Sequence, residues 1–158
     1  MLLQDVADHE KSIIELYGEV AYAQQSPWIE NKTIRDNILF GQPLDKERYY
    51  DTVMLCELER DLEILQCGDL TEIGEKGINL SGGQKARVGL ARAVYANKDI
   101  YLLDDPISAL DAHVRKKVIE NVIMTKLHNK TRILVTHAID FVHHSDSLII
   151  MDKGQIVA

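Results

Sequence analysis

Ser81-Gly82-Gly83-Gln84 and, twenty positions beyond Gln84, the pair Asp104-Asp105 are the residues of this chain best suited to phosphate chemistry. A helix N-terminus carries unpaired backbone N–H groups and partial positive charge, so it receives anions. Two glycines let a phosphate approach the backbone closely, and the serine hydroxyl adds a donor. A carboxylate at the C-terminal end of a buried strand, here Asp104, can hold Mg²⁺ directly or through water. A turn that takes an anion and a strand end that takes its counter-cation make a nucleotide's terminal phosphate the expected ligand.

These residues need elements to position them. Ser81 is placed as an N-cap, with Gln84 three residues on as in a capping box, and Val88, Ala91, Val94 and Tyr95 carry a helical period behind it. Ile100–Asp104 reads as a buried strand, followed by a helix near 111–126, a strand over Arg132–Val135, a short helix at 138–143 and a strand over Ser147–Met151. Strands alternating with helices predict an α/β fold with a parallel sheet. Upstream, Ser12–Leu16 and Glu19–Ala23 are two β-type runs around Gly18, and Pro27 breaks the chain after them. From about Thr33 the pattern turns helical: Ile34, Ile38 and Leu39 share a face, and Gly41-Gln42-Pro43 ends that piece. Asp45 then caps a helix bearing Tyr49, Val53 and Cys56, Leu62 and Leu65 continue in a shorter one, and Cys67–Asn79 is loop.

The bulk properties set the class. A chain of 158 residues fits one domain with a usable core, and 46% hydrophobic with 27% charged residues is a globular composition. A net charge of −7 argues against nonspecific nucleic-acid binding, which needs clustered Lys and Arg. Cys56 and Cys67 stand eleven apart without a companion pair, so reduced thiols are expected rather than a zinc site. No apolar stretch is long enough for a bilayer and the N-terminus is no signal peptide, so a soluble chain that meets a membrane only through a partner is expected.

Leu80-Ser81-Gly82-Gly83-Gln84 resembles the signature sequence of ABC-type ATPases, and Asp99–Asp105 resembles their Walker B strand. Gly74–Asn79 before the signature and Ala91-Arg92-Ala93 after it are also as in that family. The resemblance runs from Tyr17 to Ala158 with the motifs in family order. Trp28-Ile29, Thr33–Gly41 and Thr71–Gly77 look like its C subfamily, the multidrug-resistance-associated transporters. It implies a P-loop NTPase-type core with a helical subdomain at about 33–80, and ATP and Mg²⁺ as ligands. The implied partners are a second nucleotide-binding domain and transmembrane domains, at the cytoplasmic face of a membrane. It implies further that Gln25, with Gln24 as the other choice, is the Q-loop residue contacting Mg²⁺ and water. Ser108-Ala109-Leu110-Asp111 would be the interface D-loop and His137 the switch histidine on the γ-phosphate. Asp105 stands where the family usually has Glu to orient or deprotonate the attacking water; it is one methylene, or about 1.5 Å, shorter. This is similar to the first nucleotide-binding domain of the subfamily, whose own site is commonly catalytically weak.

One motif of the family is missing from the sequence: no G-x-x-x-x-G-K-[ST] occurs, and Lys76 and Lys85 are not placed to replace its lysine. The chain is therefore expected to be the later two-thirds of a nucleotide-binding domain, incomplete at the N-terminus, with Met1-Leu2-Leu3 as the tail of the helix that follows that loop. Three functions compete. The first is an ATPase module of an ABC exporter. The second is a non-catalytic fragment that completes or regulates a partner domain, or is inert. The third, an ATPase head of a chromosome-maintenance or DNA-repair protein, is disfavoured by the acidic charge and the absence of coiled-coil heptads.

Overall fold

The structure, a computed structural model, describes residues 14–74 and 79–157. Three strands make the central sheet: β1 (Val20–Ala23), β2 (Ile100–Asp104) and β3 (Thr131–Val135). They are all parallel, in the order β1-β2-β3, with Val20 opposite Ile100 and Ile100 opposite Thr131. The expected parallel α/β sheet with 100–104 at its centre is what forms. Shared register matters for function, because it brings the three C-terminal ends to one edge.

Between β1 and β2 runs the helical insertion. Helix α1 (Ile34–Leu39) starts at Thr33, whose side chain accepts the Asp36 N–H, and stops at Phe40 in the left-handed conformation (φ 46°). Helix α2 (Lys46–Leu55) is capped by Asp45 as expected, and α3 (Glu59–Glu63) follows. Thr33 pairs with Glu72 in a single antiparallel bridge that closes this region. Helix α4 (Gly82–Ala96) is the spine of the molecule. Its buried residues, among them Val88, Leu90, Ala91, Val94 and Tyr95, pack under β1 and against α1 and α2. Burial of Val88, Leu90 and Val94 contributes about 1.5–3 kcal/mol each.

Asn37, fully buried, fixes the segment before α4's partner helix. Its amide donates to the Glu30 and Thr33 carbonyls, and its oxygen accepts from Glu30 N–H and from Arg92 Nη2. Arg92 lies over the Phe40 ring at 4.4 Å. Tyr95 donates to the Pro43 carbonyl and accepts from Asp45 N–H, tying the end of α4 to the start of α2. A buried polar group with all its partners in place specifies one arrangement of these helices.

After β2, helix α5 (Ala112–Val118) begins at Asp111 and passes into a π-helical stretch over Ile119–Lys126. The single α-helix expected over 111–126 thus changes winding half-way; the Thr125 hydroxyl bonds the Glu120 carbonyl there. Two other expectations are corrected. Residues 14–16 are not in a strand, and residues 12–13 of that run lie outside the described residues. Of the expected strand Ser147–Met151, only the end is paired: Met151 joins the short hairpin of β4 (Met151–Asp152) and β5 (Gln155–Ile156), and the Ile150 carbonyl accepts the Val157 N–H beside it. Leu148, Ile149 and Ile150 are exposed, and an apolar run with no neighbouring strand has no ladder to join. The expected helix at 138–143 is a 3-10 helix over Ile139–His144. Met1-Leu2-Leu3 and Lys76 lie outside the described residues, as does part of Gly74–Asn79.

The sheet is covered unequally. Ala21, Ala23, Tyr101 and Leu103 are buried on one face, whereas Val20, Tyr22, Ile133 and Val135 on the other are exposed.

Candidate functional site

Each strand of the sheet delivers one functional residue just past its end. Gln25 follows β1, Asp104 closes β2 with Asp105 next to it, and Thr136-His137 follow β3. Open parallel sheets bind ligands at this edge, where side chains from neighbouring strand ends converge. Gln25, Asp105 and His137, together with Ile107, Ser108, Arg115 and Ala138, line a cleft of about 340 Å³.

Asp105 is the best-fixed group in it. The residue is 5% exposed, and its backbone is left-handed at φ 43°, which costs a non-glycine residue on the order of 1 kcal/mol or more. Its N–H donates to the Val135 carbonyl at 2.8 Å, and its carbonyl accepts from the Ser108 hydroxyl at 2.9 Å. One carboxylate oxygen accepts from Thr136 Oγ1 at 3.2 Å, the other from Gln25 Nε2 at 3.5 Å. Thr136 Oγ1 in turn accepts the Ala138 N–H at 3.0 Å, so this one hydroxyl brackets His137. Asp104 faces differently: its Oδ2 accepts from Tyr22 Oη at 3.1 Å. Burial, and after it the neighbouring Asp104 carboxylate, push the Tyr22 phenol above its ordinary pKa.

The second constellation is the turn into α4. Ser81 Oγ accepts from Gln84 N–H at 3.2 Å and Gln84 Oε1 accepts from Ser81 N–H at 2.8 Å, the complete capping box. Gln84 Nε2 donates to Asp61 Oδ1 at 2.9 Å, and Asp61 is paired with Arg87 at 2.5 Å. Both ends of the Gln84 side chain are therefore engaged within this chain, while Ser81 and Gly82 are exposed. A Cβ on Gly83 would stand 3.1 Å from the Ala109 carbonyl oxygen. A side chain there would need the segment 108–111 to give by a few tenths of an ångström. Asp111 caps α5 through the N–H groups of His113 and Val114, and those bonds, the one from Val114 foremost, hold its carboxyl below the usual range.

The structure thus brings together Gln25, Asp105 and His137, places Asp104 beside them on the β2 end, and sets Ser81, Gly82, Gly83 and Gln84 with Asp111 on a separate turn. The set of donors suits a magnesium ion only in part. No group of three or more His, Cys, Asp or Glu side chains among the described residues is arranged to hold a metal. Magnesium, however, is usually bound by one or two carboxylates plus substrate phosphates, and Asp104 at the end of β2 offers one such carboxylate. Sequence reasoning missed four residues of the site: Tyr22, Thr136, Arg115 and Asp61. Tyr22 and Thr136 were findable from strand register, since both sit at strand ends next to Asp104 and Asp105. Nothing in the sequence pointed to Asp61 or Arg115.

Residues 2–108 match the family described as ABC transporter. The chain belongs to that family. Its core is accordingly of the P-loop NTPase fold, and the resemblance read from the signature and strand-end motifs holds. The chain is 57% identical over 145 residues to multidrug resistance protein mrp-7 of Caenorhabditis elegans, covering 90% of this chain and 10% of that protein. It is 52% identical over 153 residues to ABC transporter C family member 8 of Dictyostelium discoideum (95% and 10%). With ABC transporter C family member 9 of Arabidopsis thaliana it shares 50% over 147 residues (93% and 10%). The chain spans about a tenth of the length of these relatives. No helix among the described residues is long and apolar enough to cross a membrane.

Proposed function

We propose that this chain is the later part of an ABC exporter's nucleotide-binding domain, and that its strand-end cleft addresses the terminal phosphate of MgATP. The observation that carries the reading is the convergence of Gln25, Asp105 and His137 from three successive parallel strands on one cleft. When bound, magnesium supplies neutralising charge to the phosphates. Gln25 and Asp104 are the residues to hold it; Asp105 and Gln25 orient water, and His137 hydrogen-bonds the γ-phosphate. Asp105 is a weak general base in this role, because it is one methylene shorter than the Glu usual at this position in the family. By the names of its relatives, the transporter served is of the multidrug-resistance type, and organic anions or drug conjugates are the proposed cargo.

A second reading rests on a different observation. Among the described residues the sheet face bearing Val20, Tyr22, Ile133 and Val135 is exposed, and so are Ser81 and Gly82 at the signature turn. On this reading the chain completes a partner domain and serves it through the signature turn, with Ser81 and Gly83 toward the partner's nucleotide and Asp111 at the interface. The two are separated by measuring the ATPase rate of an intact partner nucleotide-binding domain with this chain added. Ser81→Arg puts bulk and charge into the exposed turn and is expected to abolish any stimulation. Loss with Asp105→Asn, while Ser81→Arg still stimulates, assigns the chemistry to this chain's own cleft and overturns the partner-directed reading.

A further inference from the structure

Arg115 is a cleft cation that no salt bridge engages among the described residues. It sits in the first turns of α5, half-buried, and lines the same cleft as Asp105, Gln25 and His137. It makes no ion pair among the described residues, although eight other basic side chains do. Its Nη2 donates to the Leu110 carbonyl at 3.1 Å, which holds the guanidinium in place. Its Nε–H is buried and has no hydrogen-bond partner among the described residues. The one carboxylate in the cleft, Asp105, already accepts from Thr136 and Gln25.

Desolvating a guanidinium and leaving a donor unmet is costly unless an anion completes the site. Arg is the side chain whose planar fork fits a phosphate, and it remains charged at any working pH. We propose that Arg115 binds the terminal phosphate of a nucleoside triphosphate in this cleft, supplying positive charge from the α5 side. This rests on the nucleotide reading of the cleft and adds to it a residue that none of the site motifs contains.

The test is a titration of the ¹⁵N-labelled chain with MgATP, MgADP and magnesium orthophosphate, carried to tens of millimolar and followed at the Arg115 Nε–Hε resonance and at the Asp105 and His137 amides. MgATP is expected to move the Arg115 resonance and to bind more tightly than MgADP. Arg115→Ala is expected to reduce that preference about tenfold, the loss of one charge-assisted hydrogen bond, with Arg115→Lys intermediate. Arg115→Gln serves where Arg115→Ala lacks a wild-type amide spectrum. If both nucleotides bind and Arg115→Ala keeps the ATP preference, Arg115 is not the phosphate ligand and the cleft reading survives. If no ligand moves the Asp105 or His137 amides, the cleft reading falls and the inference with it. If orthophosphate binds as tightly as MgATP, the site takes the free anion and the nucleotide assignment is wrong.

Discussion

Removing the Asp61 carboxylate should loosen the signature turn from inside the chain. Asp61 and Arg87 have side chains only 19% and 11% exposed, and Asp61 also accepts from Gln84 Nε2. Arg87 Nε already lacks a partner among the described residues, so Asp61→Ala leaves a nearly buried guanidinium with no counter-charge. Breaking a fully buried pair costs about 3–5 kcal/mol; the residual exposure of this one lowers the expectation to about 3 kcal/mol. With a urea slope of about 2 kcal/mol/M, the unfolding midpoint should fall by about 1.5 M. Arg87→Met should cost less, about 2 kcal/mol, because Asp61 keeps the Gln84 amide and some water. The double variant should then be no worse than Asp61→Ala alone, a coupling of about 2 kcal/mol in the cycle. Additivity within about 0.5 kcal/mol would mean the two charges do not stabilise each other, and the account of the turn's anchoring would be wrong.

Gly89→Ala drives a Cβ into the Pro27 ring, so it should destabilise by about 1–3 kcal/mol and displace the Gln25 segment, read as a lower melting temperature with shifted Gln25 amides. Thr136→Val strands the Ala138 N–H and one Asp105 oxygen and should cost about 1–2 kcal/mol in urea unfolding, whereas Thr136→Ser should recover most of it. Cys56 is buried and its thiol is pushed up to about 12 by burial, so at pH 8 a thiol reagent should titrate exposed Cys67 in the native chain and both cysteines in urea. Because the folded-state pKa is the raised one, Cys56 contributes stability that is intact below about 9 and is lost as pH climbs toward about 12; a flat unfolding free energy across that window would refute the assignment.

The capping box at Ser81 and the strand at 100–104 were legible because each depends on local rules: a side chain meeting a backbone three residues away, and an apolar run closed by carboxylates. The Asp45 cap was legible for the same reason. What the sequence concealed depends on distant partners. Asp61 meets Gln84 across 23 positions and Arg87 across 26, and no local pattern in α3 marks it. The π-helical stretch after α5, which buries Ile119, Val122 and Ile123, has an ordinary helical period, so no local pattern marks its change of winding. Ser147–Met151 has strand composition throughout, but a strand exists only where another strand receives it, and composition cannot report that.

The cleft and the signature turn are separate sites, yet they share one short connection. Ser108 bonds the Asp105 carbonyl on the cleft side, and the Ala109 carbonyl lies against Gly83 on the turn side. Leu110 is buried and receives Arg115, while Asp111 caps α5. Three consecutive residues, Ser108 to Leu110, thus meet the backbone of Asp105, the glycine of the turn, and the core together with Arg115. The segment 108–111 is bonded to the Asp105 backbone on one side and lies near the turn on the other, with Asp105 itself held in a disfavoured conformation.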